Sequence, residues 1–229
     1  MKKSLLLLLC TLCFGALRAQ EGFHIGLLAM PQNTWILNTE TLDQNRSNFE
    51  YVTTWGYSGM FKLGYNIGDP FGIHTAISYS RQGQRSTSID TSGVIVTTKR
   101  DLTYLKIPLL IHINSDPGPA MFTFEVGPQV GILLDASHLE DDVPRDFGFL
   151  TDLIYRPTEI SVTWSLGAEF CITDWFHFVL QHRGDYALFD IEDKTFLAGQ
   201  SAFDPDRSTA NSCNLGLMGG FNFCFLPRG

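Results

Sequence analysis

Ile160-Ser161-Val162-Thr163-Trp164-Ser165-Leu166-Gly167-Ala168-Glu169-Phe170-Cys171-Ile172 decides the fold. Apolar side chains fall on the even positions, and most of the odd positions are small, polar or charged, which is the period of two of a strand with one greasy face. Residues 121–134 repeat it: Phe122, Phe124, Val126, Pro128, Val130, Ile132 and Leu134 oppose Thr123, Glu125, Gly127, Gln129 and Gly131. So do residues 213–225, where Leu215, Leu217, Phe221, Phe223 and Phe225 oppose Asn214, Gly216, Gly220 and Asn222.

The same test predicts eight strands, at about 22–30, 55–67, 71–82, 102–114, 119–134, 159–172, 175–184 and 212–225. Three connections carry tight-turn chemistry: Gly68-Asp69-Pro70, Ser115-Asp116-Pro117-Gly118 and Thr173-Asp174. The other four, roughly 31–54, 83–101, 135–158 and 185–211, are long and polar. Long and short connections alternate in this way when an even antiparallel barrel has both chain ends on its tight-turn side. The predicted fold class is all-β: an eight-stranded antiparallel up-and-down transmembrane β-barrel with short periplasmic turns and long extracellular loops.

Composition agrees. Of 229 residues, 44% are hydrophobic and 17% charged, with 18 Phe and 21 Gly, which excludes disorder, collagen and coiled coil. A net charge of -8 without a basic stripe excludes nucleic acid as a partner. The apolar strand faces are expected to be free of charge, because a Lys or Arg at the bilayer midplane costs about 2–4 kcal/mol. The strand charges Lys62, Lys106, Glu125, Glu159, Glu169 and Arg183 all fall on the opposite faces. Those faces should point into a lumen that eight strands leave just wide enough for side chains to fill. Lys62, Lys106, Glu125, Glu159, Glu169, His177 and Arg183 are therefore expected to form a closed polar network, with Glu125 near Lys106 and Glu169 near His177 and Gln181.

Residues 1–19 read as a secretory signal: Lys2-Lys3, an apolar core from Leu5, and Ala19 before Gln20. Lipidation is disfavoured, since Cys10 and Cys13 each follow Leu rather than a small residue. Cleavage would remove Lys2, Lys3 and Arg18 and take the net charge from -8 to -11, leaving residues 20–229 as the barrel domain. Three cysteines would remain, Cys171, Cys213 and Cys224, with neither a disulfide framework nor Cys/His spacing of the zinc type, so no metal or other cofactor is expected.

The long connections are acidic. Residues 135–158 carry Asp135, Glu140, Asp141, Asp142, Asp146 and Asp152 against Arg145 and Arg156. Residues 185–211 carry Asp185, Asp190, Glu192, Asp193, Asp204 and Asp206 against Lys194 and Arg207. This charge is expected to be solvated, with cation bridging to anionic surface lipid as the alternative. His138 and the neighbouring Asp141, Asp142 and Asp146 complete no Gly-x-Ser-x-Gly or His-Glu-x-x-His motif, so no catalytic residues are assigned. Arg183-Gly184-Asp185 spells an adhesion tripeptide but lies at a strand end, where it is read as chance. Trp55, Tyr57, Tyr79, Tyr104, Trp175 and Tyr186 are expected in interfacial girdles.

Tyr79-Ser80-Arg81-Gln82-Gly83, Tyr104-Leu105-Lys106-Ile107-Pro108-Leu109-Leu110 and Phe124-Glu125-Val126-Gly127-Pro128-Gln129-Val130-Gly131 resemble the PorT-like outer-membrane β-barrel family of Bacteroidota. The resemblance covers essentially the whole mature chain, and Leu17-Arg18-Ala19-Gln20 resembles signal ends of that phylum. One departure is that Leu226-Pro227-Arg228-Gly229 follows Phe225, where many such barrels finish on the aromatic. The resemblance implies an outer-membrane barrel of a Gram-negative bacterium without cofactor or catalytic residues; PorT itself is associated with type IX secretion, a role the family label does not transfer. The expected function is non-enzymatic, structural or recognition work in the envelope, with an accessory role in type IX secretion or envelope assembly as the alternative. Expected partners are outer-membrane lipid and lipopolysaccharide, with envelope proteins possible and the chain itself a monomer.

Overall fold

In the computed structural model, which describes residues 22–38, 49–68, 70–89, 93–115, 118–140, 143–144, 154–193 and 209–225, ten strands succeed one another. They are β1 (Phe23–Asn38), β2 (Phe49–Val52), β3 (Thr54–Gly68), β4 (Phe71–Ile89), β5 (Ile95–Asn114), β6 (Ala120–Glu140), β7 (Val143–Pro144), β8 (Thr158–Thr173), β9 (Phe176–Ala187) and β10 (Ala210–Cys224). Eight of them close a ring of antiparallel pairs, running β1-β3-β4-β5-β6-β8-β9-β10 and back to β1. Closure pairs the backbone groups that would otherwise face lipid at a sheet edge. The short β2 and β7 extend the wall on β4 and β6.

All eight predicted strands are present, and five run at least three residues further than predicted. β1 reaches Asn38, β4 reaches Ile89, β5 begins at Ile95, β6 reaches Glu140 and β9 reaches Ala187. Every extension is on the long-loop side. Above the lipid neither face need be apolar, so alternation fades while the ladder continues, as in the β4–β5 hairpin from Arg81↔Thr103 to Ile89↔Ile95. Within the ladder Pro108 has no N–H to give, and the Thr75 hydroxyl donates to its carbonyl at 2.8 Å.

The apolar faces point outward and the polar faces inward. Phe122 is 73% exposed and its neighbour Glu125 1%. Leu27, Phe61, Ile77, Leu109, Trp164, Leu166 and Phe221 are likewise on the outside. Trp55, Tyr57, Tyr79, Trp175 and Tyr186 are exposed as expected, but Tyr104 is fully buried. Tyr104 shares the parity of Lys106, so a period of two puts both inside. Arg81 also departs from expectation: it stands on the outer face, half-exposed, at the rim where its Nη2 meets Asp101 Oδ2 at 2.9 Å beside Lys99. Trp164 lies across Gly184 on the neighbouring strand, where any Cβ would strike the indole.

Candidate functional site

Alternation sends seven predicted side chains, Lys62, Lys106, Glu125, Glu159, Glu169, His177 and Arg183, into the interior, none more than 9% exposed. They divide between two networks and a separate Glu169–His177 pair rather than joining one.

The first is centred on Glu125. Its Oε1 takes the Lys62 ammonium together with His74 Nδ1 at 2.6 Å and His112 Nδ1 at 3.0 Å, and its Oε2 accepts from Ser165 Oγ at 3.2 Å. The two imidazoles stack with centroids 4.0 Å apart. Glu125 does not pair with Lys106 as expected. It sits opposite His112, while Pro108 faces Gln129. Pro119 lacks an N–H and strands of a closed barrel are staggered, so β6 starts on β8 at Ala120↔Phe170 and meets β5 only from Asn114↔Thr123.

Lys106 belongs to the second network. Its Nζ lies 3.5 Å from Glu159 Oε1 and 3.3 Å from Asp185 Oδ2, and Arg183 Nε approaches Asp185 Oδ1 at 3.4 Å. Arg183 also donates to Gln129 Oε1 at 2.8 Å, while Gln82 and Ser212 donate to Glu159 Oε2 at 3.3 and 2.6 Å. Asp185, counted in the sequence as solvated loop charge, is thus an internal counterion; it shares the inward parity of Arg183 one residue pair further up β9. The Arg183-Gly184-Asp185 tripeptide is buried, 2% exposed at Arg183 and 5% at Asp185, and so is not displayed for adhesion.

Glu169 holds His177, with Oε1 2.9 Å from Nδ1, as predicted. Gln181 does not join them: its register partner is Gly167 and it donates to Thr123 Oγ1 at 2.7 Å. Three inward histidines were missed, His24, His74 and His112, although each lies on the predicted inner parity of its strand.

The interior is not polar throughout. Leu28, Met30, Met60, Ala76, Val179 and Met218 form one apolar cluster within the lumen. A second one near the long-loop end gathers Ile36, Leu102, Tyr104, Ala136, Ala187 and Ala210 around Tyr155 and Ile191. Tyr155 and Ile191 come from segments read as solvated loops. A bridge between Tyr155 and Glu192 and the bond from Arg156 N to Ile191 O fold these segments inward. Glu192, also counted as solvated, is buried and meets Arg100 Nη1 at 3.3 Å; Asp190 Oδ1 accepts from the backbone of Glu192 and Ala210. Asp141, Asp142, Arg145, Asp146, Asp152, Lys194, Asp204, Asp206 and Arg207, the signal segment 1–19 and Leu226–Gly229 lie outside the described residues, as do the side chains of His138 and Glu140.

Lys62, Lys106, Arg183, Gln32, Gln129 and Gln181 are each no more than 2% accessible, which leaves no water-wide passage alongside them. At the tight-turn end the described residues border a cavity of about 380 Å³ lined by His24, Asn66, His112, Glu169, Cys171, His177 and Cys224 among others.

An apolar exterior, a charged interior and an edgeless antiparallel ladder define a transmembrane β-barrel. A family model described as "Outer membrane protein beta-barrel domain" matches residues 18–193, and the chain belongs to that family. No curated protein matches the sequence. Among solved structures it is similar to Neisserial surface protein A (12% identity, TM-score 0.45, covering 89% of this chain and 97% of that one). It is also similar to OprG from Pseudomonas aeruginosa (11%, 0.46, 90% and 97%) and to Ail, the attachment invasion locus protein of Yersinia pestis (11%, 0.42, 89% and 99%).

Proposed function

We propose that this outer-membrane barrel is a closed, non-enzymatic envelope protein that works through the surfaces at its two ends, in a structural or recognition role, and not by passing solutes through its lumen. The observation that carries this reading is the pair of buried charge networks, with Lys62, Lys106 and Arg183 matched against Glu125, Glu159 and Asp185. Opening a channel would mean separating these charges in a low-dielectric interior, which is strongly unfavourable. Ser165, Glu125, His74 and His112 do place a hydroxyl, a carboxylate and imidazoles in contact, but all are at most 2% exposed, and Ser165, Glu125 and His74 do not border the cavity that His112 helps to line. In planar bilayers the folded protein is expected to give no steady conductance; sustained, voltage-independent channel current would reject the closed-lumen reading.

A second reading, an accessory of type IX secretion or envelope assembly in a member of the Bacteroidota, is favoured by the Tyr104–Leu110 run and its PorT-like companions. It includes export through a signal cleaved after Ala19, lipid and lipopolysaccharide as the immediate surroundings, and a monomeric barrel meeting protein partners at its turns or loops. Loss of secreted cargo on deletion of the gene would favour it over the first reading, and unchanged secretion would remove it.

A further inference from the structure

We propose that the tight-turn mouth of the barrel binds a divalent cation of the zinc class through Glu169, His177 and Cys224. These side chains come from the inner faces of β8, β9 and β10, three neighbouring strands, and their ligand atoms all lie within 4.8 Å of one another. His177 Nδ1 is 2.9 Å from Glu169 Oε1 and 3.7 Å from Cys224 Sγ. A tetrahedron with Zn–N and Zn–O bonds near 2.0 Å and Zn–S near 2.3 Å has edges of about 3.3–3.5 Å, so small side-chain adjustments admit the ion. The carboxylate is oriented from behind by Asn222, whose Nδ2 donates to Oε1 at 3.0 Å, the outer support a ligating carboxylate normally has.

A further observation points to a ligand. The three groups border the 380 Å³ cavity, which supplies an entry path. Cys171, the register neighbour of His177, also lines it as a free thiol but stands outside the group of three ligand atoms.

Among the described residues a second cluster with ligand geometry, His74, His112 and Glu125, is a contrast: the Lys62 ammonium already sits on its carboxylate. Among the described residues the ion-pair partner of Glu169 is His177, and Cys224 adds nothing to an ion pair but completes a sulfur, nitrogen and oxygen donor set. That set suits zinc and disfavours calcium or magnesium, which take oxygen ligands. On binding, the thiol proton and any proton on His177 Nδ1 leave to solvent as the metal–sulfur and metal–nitrogen bonds form.

The test uses the protein folded in detergent micelles under reducing conditions, titrated with cobalt(II) alone and then with zinc. A thiolate-to-cobalt charge-transfer band saturating at one equivalent and bleached by one equivalent of zinc is expected. Cys224→Ser should abolish that band, and both it and His177→Gln should weaken zinc binding by about tenfold or more. Heat-modifiable migration on SDS gels establishes that each variant is folded, and Cys224→Ser, the near-isosteric change, stands if His177→Gln fails to fold. Absence of the band in the wild-type protein, zinc affinity unchanged in folded Cys224→Ser, or loss of binding on replacing the outward-facing His182 instead would overturn the assignment. None of these outcomes depends on whether the lumen conducts.

Discussion

Replacing Glu125 with Leu is expected to lower the unfolding free energy by about 3–5 kcal/mol, the usual cost of stranding one member of a buried ion pair. Lys62 has 2% of its side chain accessible, and Glu125 is the carboxylate it contacts. The substitution also takes the acceptor away from His74, His112 and Ser165. Leaving a buried polar group without a partner costs about 1–3 kcal/mol, so these losses add to the stranded charge. Removing both charges as Lys62→Met with Glu125→Leu should recover the part due to the stranded ammonium, because two apolar side chains can fill the space without a desolvated ion, while His74, His112 and Ser165 stay without this acceptor. Urea unfolding of the protein refolded into lipid vesicles, followed by Trp fluorescence, measures both variants. A single-variant loss under about 1 kcal/mol would mean that the lumen is hydrated at this depth. A double variant no better than the single would show that packing, and not charge, sets the cost.

The sequence made the face of each strand legible but not the partner of each side chain. Parity follows from covalent geometry, because successive Cβ atoms alternate; Lys62, Glu159 and Glu169 could be assigned to the interior from the sequence alone. Partnership depends on stagger, which Pro119 and barrel closure shift, and so Glu125 met His112 instead of Lys106. Strand length was legible only where lipid imposes a greasy face. Above the rim that demand ends, and Asp185 continued inward on β9 although its outer neighbours no longer signalled a strand. Tyr155 and Ile191 carried no periodic signal, since contacts inside the barrel mouth and not a ladder place them. Glu169, His177 and Cys224 have no metal-like spacing, because three separate strands bring them together. The inward positions of His24, His74 and His112 were legible by the same parity that placed His177.

Outside the barrel the sharpest expectation concerns depth. Ile77 is 55% exposed and paired in register with Phe61, itself on the outer face, between the level of Tyr79 and the tight-turn end. Arg at this position would have to reach past acyl chains to water, and Ile77→Arg should destabilise the barrel in lipid by about 2–4 kcal/mol. Ile95 is 66% exposed and lies at the end of the β4–β5 hairpin. It stands roughly 20 Å along the strand from the Arg81–Asp101 rim, at about 3.3 Å per residue. There the solvent is water, and Ile95→Arg should change stability by less than about 1 kcal/mol. The comparison separates lipid from water as the medium around the barrel, because in a water-soluble barrel both arginines would be equally harmless. Equal effects in vesicle unfolding experiments would therefore remove the membrane-facing assignment of Phe61, Ile77 and the other outward apolar residues at that depth, whereas a gradient from Ile77 to Ile95 places the edge of the hydrocarbon between those two positions, the interval that contains the Arg81–Asp101 pair.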